Sequence, residues 1–244
     1  MTFRVQRGEL ILIQAVILDA VGTLLRVRGS VGAIYAEAAR GVGLHVSAAE
    51  LEQRFRSAFR RRREEDAQRG HRTDAAWERA RWQSIVAEAL HELPRPLELF
   101  PALWDRFASP DVWEVFPDVA PALNELRRRG LTLAVGSNFD SRLHAVLDGF
   151  PLLCTLQPRF VSAEVGWSKP APEFFAHILE VLKLPAHAVL MVGDDRHHDV
   201  EAARAAGLWA VQIARGADDR PRDALASLAE LPAWLAAGLR HEGG

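Results

Sequence analysis

The chain has 244 residues, enough for one α/β domain or for a core with a smaller second domain. Apolar residues make up 49% and charged residues 25%, the balance of an ordinary folded protein, and the formal net charge of −2 gives no basic field for nucleic acid or an anionic membrane. Cys154 is the only cysteine, which excludes an internal disulfide and a cysteine-rich metal site. No base is evident near it, so it reads as a small buried apolar residue. No apolar run reaches the roughly 20 residues of a membrane span. Leu10–Leu18 is apolar, ends at Asp19 and lacks a small-residue cleavage site, so it reads as a buried strand rather than a signal peptide. Met1–Gly8 reads as a polar leader, and the expected location is cytoplasmic.

From about Arg28 to Pro110 no convincing strand is found, while Leu51, Phe55, Ala58 and Phe59 repeat at helical spacing. This predicts a helical insertion after the first strand. The run Arg60–Arg63, followed by Glu64, Glu65 and Asp66, reads as a solvated helix face with intrahelical pairs. Beyond it, the pattern predicts a helix over Val119–Arg129 ended by Gly130, a strand over Leu131–Gly136, and a helix over Phe174–Leu184 behind Pro170 and Pro172. A strand over Ala188–Val192, a helix over Asp199–Ala206 ended by Gly207, and a strand over Leu208–Ile213 complete the series. Strands alternating with helices at this spacing imply a doubly wound parallel sheet of Rossmann-like form.

Four groups of reactive residues fall at strand ends, where open α/β sheets bind ligands. Asp19 closes the first strand, Gly22 permits a tight turn, and Thr23 offers a hydroxyl and a backbone N–H. Ser137 and Asn138 follow the next strand and can hold an anionic oxygen. Lys169, between Ser168 and Pro170, can place positive charge near a phosphoryl group. Asp194, Asp195 and Asp199 crowd one strand end and the following helix, and oxygen-only ligands with phosphate chemistry point to Mg²⁺. His197 and His198 lack the partner spacing of a zinc site and read as surface or supporting residues.

The set Asp19-x-x-Gly22-Thr23, Ser137-Asn138, Lys169-Pro170 and Gly193-Asp194…Asp199 resembles the four motifs of the haloacid dehalogenase superfamily. The resemblance covers Leu10–Leu25 and about Phe116–Gln212, and the insertion lies where that superfamily carries a helical cap. The cap opening, Tyr35 to Arg40 with Gly43-Leu44, is similar to a eukaryotic-type subgroup known only as dehalogenase-like hydrolase domain proteins. The resemblance implies a core over 1–27 and 111–244 and a helical cap over 28–110. It implies Asp19 as nucleophile and Thr23, Ser137, Asn138 and Lys169 around the phosphate of a small phosphorylated substrate. It also implies Mg²⁺ on Asp19, Asp194 and the backbone carbonyl of Val21, with Asp195 or Asp199 completing or orienting that shell. A monomer or a homodimer is expected.

The superfamily's phosphatases carry a second Asp two residues after the nucleophile as general acid and base, and here that position is Val21. Losing such a group typically costs about 10²–10⁴-fold in rate. Three readings follow: a phosphohydrolase or phosphotransferase with weakened acid catalysis, a metal-free 2-haloacid dehalogenase, and a non-catalytic scaffold binding a phosphorylated ligand or a protein. Asp-Ala-Val-Gly-Thr resembles the dehalogenases' Asp-Ala-Tyr-Gly-Thr, but the Gly193-Asp194-Asp195 cluster argues against that reading. Arg26, Arg28, His71, Trp77 and Trp82 are candidate cleft residues, with surface or core positions as the alternative.

Overall fold

The structure, a computed structural model, describes residues 12–216 and 220–237. The polar leader and the first two residues of the predicted N-terminal strand lie outside the described residues. Within them, a six-stranded parallel sheet carries β1 (Ala15–Leu18), β4 (Thr132–Ser137), β5 (Arg159–Val161), β6 (Val189–Gly193), β7 (Trp209–Ile213) and β8 (Ala224–Leu225), in the order β5-β4-β1-β6-β7-β8. β1 is central, with Leu18 level with Val135 on one side and Val192 on the other. A separate antiparallel ribbon pairs β2 (Leu25–Val27) with β3 (Trp113–Val115).

Alternation along each strand divides the core in two. Val16, Leu18, Leu190 and Val192 face one apolar cluster, while Ala15, Ile17, Val189 and Met191 face the other. The first is covered by α5 (Val119–Arg128), α6 (Arg142–Asp148) and α10 (Leu231–Ala236). The second lies under α8 (Pro172–Leu182) and α9 (Ala202–Ala205), while α7 (Ser162–Val165) follows β5. Both faces are covered by helices and buried apolar side chains, which explains strands that are apolar throughout rather than alternating with polar residues.

The insertion folds into a helical cap of α1 (Val31–Arg40), α2 (Ala48–Gln68), α3 (Ala75–Ala89) and α4 (Phe100–Ala108), with its own core around Tyr35, Leu51, Val86 and Leu103. Ser30, Ser47 and Asp74 cap the first three helices by accepting from the N–H three residues on, each cap worth about 1 kcal/mol. Chain exit and re-entry coincide with the β2–β3 ribbon. A second tie joins the loop after α2 to the core: Thr73 N–H donates to the Gly166 carbonyl at 3.2 Å and Ser168 N–H to the His71 carbonyl at 2.9 Å.

Several expected boundaries shift. The segment expected as a helix from Asp199 begins at Arg196 as a π-helical turn, Arg196–Glu201, and continues into α9. Its start is set by the Asp195 carboxylate, which accepts from the N–H groups of His197 and His198. Cys154 is half-buried rather than buried, because it sits in a surface turn where its thiol donates to the Pro151 carbonyl. The arginine run on α2 is mostly not intrahelical: Arg61 and Arg62 reach Glu88 on α3, and only Arg62 pairs within α2, with Glu65. No helix among the described residues is long and apolar enough to cross a membrane.

Candidate active site

The carboxyl ends of β1, β4 and β6 open on one side of the sheet, and each delivers a polar residue there. Asp19 follows β1, Ser137 ends β4, and Asp194 follows β6. The turn after Asp19 is tight: the Leu24 and Leu25 N–H groups both donate to the Ala20 carbonyl, and Gly22 N–H donates to the Leu25 carbonyl at 2.8 Å. Gly22 has φ +92°, and a Cβ there would lie 2.3 Å from Asp194 Oδ2, so only glycine lets this turn approach the carboxylate. Gly193 serves the same purpose beneath Asp199, whose Oδ2 a Cβ would meet at 2.1 Å.

Lys169 closes the group from the loop before α8. It is 2% exposed, and its ammonium donates to Asp19 Oδ1 at 2.8 Å, to the Gly136 carbonyl at 2.8 Å and to Asp199 Oδ1. The Asn138 side chain fixes the lysine's backbone from both sides, accepting from Lys169 N–H and donating to its carbonyl, each at 2.8 Å. Asp199 Oδ2 accepts from Asp195 N–H at 3.1 Å, so this carboxylate orients both the lysine and the strand-end loop.

Carboxylate oxygens of Asp19, Asp194 and Asp199 lie within 4.8 Å of one another. Burial pushes the Asp19 carboxyl up to about 6, with Asp199 pushing the same way, while Lys169 and a hydrogen bond from Ser137 pull it down. Asp194 is exposed at the cavity wall yet ringed by protein. Loss of surrounding water pushes it up to about 7, Asp19 and Asp199 add to the rise, and the open cavity side screens part of it. Burial alone would lower Lys169, but the carboxylates of Asp19 and Asp199 hold it above its ordinary value. Crowded, all-oxygen and short of positive charge, the cluster suits a hard divalent cation.

The remaining candidate residues divide. Val21 is 37% exposed and lines the cavity in front of the cluster. Asp195 is not one of the three clustered carboxylates. Burial works to raise it, but hydrogen bonds from His198 and Arg63 hold it well below the usual carboxylate range, and it serves as the cap of the following helix. Thr23 is fully buried and does not line the cavity, and its hydroxyl has no partner. Its carbonyl accepts from Arg215 Nη2 at 2.8 Å; Arg215 also reaches the Gly22 carbonyl and Asp118, and so braces the turn after Asp19 from behind. Arg26 pairs with Glu114 and Arg28 donates to the Trp113 carbonyl, so both belong to the β2–β3 ribbon.

A cavity of about 360 Å³ separates this cluster from the cap. His71 and Trp82 line it, as does His198, whereas Trp77 packs beneath Arg69 and donates to Asp66 at 3.1 Å. The sequence reading missed Arg63 on this wall, where it crosses from α2 to Asp195 at 2.7 Å and to His198. A signal was present: Arg63 continues the i, i+4 row of Phe55 and Phe59, both of which line the cavity. Glu78 and Arg81 on α3 and Arg142 on α6 also line the cavity, and nothing in the local sequence marks them as inward-facing.

With six parallel strands, a helical cap and a carboxylate–lysine cluster at the strand ends, the fold and site define a capped α/β hydrolase. The haloacid dehalogenase-like hydrolase family model matches residues 13–207, and the chain belongs to that family. It is 32% identical over 204 residues to haloacid dehalogenase-like hydrolase domain-containing protein 3 of Bos taurus, covering 80% of each chain. It is 35% identical over 158 residues to the phosphoserine phosphatase of Thermus thermophilus, covering 63% of this chain and 61% of that one. Among solved structures, the L-2-haloacid dehalogenase of Xanthobacter autotrophicus with chloropropionic acid covalently bound superposes with a TM-score of 0.74 over 92% of this chain and 99% of that one. At 19% identity that likeness shows the fold alone.

Proposed function

We propose that the chain is a magnesium-dependent phosphohydrolase or phosphotransferase acting on a small phosphorylated substrate through an aspartyl-phosphate on Asp19. The observation that carries this reading is the carboxylate cluster with its buried lysine at the strand ends, facing a cavity roofed by the cap. We assign 28–110 to the cap and 1–27 and 111–244 to the core, a division supported by the β2–β3 ribbon at the crossing.

In this reading Asp19, Asp194 and the Val21 carbonyl hold the metal, and Asp199 aligns Lys169. When bound, magnesium supplies charge to draw electron density from the phosphoryl oxygens. Lys169, whose ammonium meets Asp19 Oδ1 at 2.8 Å, adds positive charge beside the nucleophile, and Ser137 and the Asn138 N–H hold phosphoryl oxygens. The Asp19 carboxylate forms a bond to phosphorus as the ester P–O bond breaks, and the leaving oxygen departs with the electron pair. Water then attacks phosphorus and frees Asp19. Both steps need a proton carrier that Val21 cannot be, so esters with stable leaving anions react and the second step is slow.

The carboxylate cluster weighs against metal-free dehalogenation. Val21, an apolar side chain at the cavity wall where an acid would act, favours a non-catalytic scaffold as the second reading. The deciding assay uses purified protein, Mg²⁺ and an activated aryl phosphate beside Asp19→Asn. Magnesium-dependent turnover, or a burst with slow turnover, that vanishes in Asp19→Asn upholds the proposal. Neither turnover nor burst from metal-bound protein on a panel of esters makes the scaffold reading the better one.

A further inference from the structure

We propose that the cap cavity selects the phosphomonoester of a neutral aromatic or apolar alcohol and rejects substrates with a second anionic group. This rests on the phosphoryl-transfer reading above and names the substrate class for that site.

The first observation is an aromatic wall. Phe55 and Trp82 stack with centroids 6.3 Å apart and planes at 12°, and Phe59 lies 5.7 Å from Phe55 and 6.1 Å from Trp82. A second cluster of Phe107, Trp113 and Phe139 is linked at 6.4 and 6.1 Å. All six side chains line the same cavity as Asp19 and Lys169. Such a surface recognises a planar or apolar group by burial and ring contact.

The second observation is charge. Three arginines reach the cavity, and each already faces a carboxylate. Arg81 pairs with Asp66 at 3.0 Å and stands 3.7 Å from Glu78, Arg63 pairs with Asp195 at 2.7 Å, and Arg142 grips Asp140 through two bonds of 2.7 and 2.8 Å. Among the described residues that line this cavity, each arginine is thus matched by a carboxylate, and His198 also meets Asp195, at 3.1 Å. A second phosphate or carboxylate on the substrate would lose its water to sit beside Asp66, Glu78 or Asp195. Lys169 together with a divalent cation on the carboxylate cluster would supply the positive charge for one phosphate. A cavity of about 360 Å³ has room for one small ring system beyond it.

The test is calorimetric titration of the full chain in MgCl₂ with benzylphosphonate, methylphosphonate and phosphonoacetate, which cannot turn over. Benzylphosphonate is expected to bind at least about tenfold tighter than methylphosphonate, with phosphonoacetate no tighter than methylphosphonate. Phe59→Ala should shrink the benzyl-to-methyl ratio, and Phe59→Leu should retain part of it while keeping the packing. Equal affinity for all three, tightest binding of phosphonoacetate, no binding of benzylphosphonate, or a ratio unmoved in Phe59→Ala overturns the proposal. The benzyl preference without turnover of any phosphoester would instead sink the catalytic reading and leave this selectivity standing. Turnover of phosphoesters with no benzyl preference would do the reverse.

Discussion

Replacing Lys169 with methionine removes a buried ammonium that holds two carboxylates and a carbonyl at once. Methionine has similar length and stays apolar, so packing changes little and charge is the variable. Asp19 is 7% exposed and Asp199 2%, so neither can recover its hydration. Stripping one partner from a buried pair typically costs about 3–5 kcal/mol. The loss depends on pH, because a stranded carboxylate can take up a proton instead. Burial already raises the folded pKa of Asp19 to about 6, and losing the lysine raises it further. A group of this kind contributes most stability below its unfolded pKa near 3.8, and that contribution disappears as pH rises through the folded value. The deficit of Lys169→Met against wild type is therefore smaller at pH 5 than at pH 8. Urea denaturation in EDTA at both pH values should show a midpoint about 1–2 M lower for the variant at pH 8, with a smaller gap at pH 5. A deficit below about 1 kcal/mol at pH 8, or one independent of pH, would refute the account of Lys169 as the cluster's neutralising charge.

The other predictions follow from the same cluster. Val21→Asp puts a carboxyl where the cavity has room and should raise steady-state turnover of unactivated phosphoesters by about 10²-fold or more, read as kcat beside wild type. Magnesium must displace protons from Asp19 and Asp194, raised to about 6 and about 7, so its increase in Tm should be large at pH 8 and nearly absent at pH 5; an equal shift at both would contradict the carboxylate site. Asn138→Ala removes both bonds that fix the Lys169 backbone and should lower kcat more than it raises KM, with about 1–3 kcal/mol lost in stability by urea denaturation.

How much of this was legible in the sequence depended on what set each residue's position. Asp19, Ser137 and Asp194 end adjacent parallel strands, so strand recognition alone put them at one edge, and Asp199 follows within a single helical turn. Short apolar runs buried on both faces identified the central strands, but β5 and β8 have three and two residues and carry no pattern of their own. The sequence left open whether Asp195 or Asp199 completes the shell beside Asp194; the chain turns after Asp194, and Asp195 becomes a helix cap held by Arg63. Arg63, Arg81 and Arg142 were read past because a charged side chain on a helix is usually solvated. Their inward placement depends on how cap packs on core, which no local window records. Arg215 follows β7 and braces the loop of Asp19 across nearly the whole chain, a contact without a sequence signature.

The central claim, a phosphoryl group carried on Asp19, is tested most directly by mixing the protein with Mg²⁺ and an aryl phosphate, quenching in acid within the burst, and mapping peptides by mass spectrometry. The account predicts one phosphoryl group on the peptide that contains Asp19, absent in Asp19→Asn and without magnesium, and persisting longer in wild type than in Val21→Asp. Release of product with no phosphoryl group on that peptide, or its appearance on another residue, would contradict it.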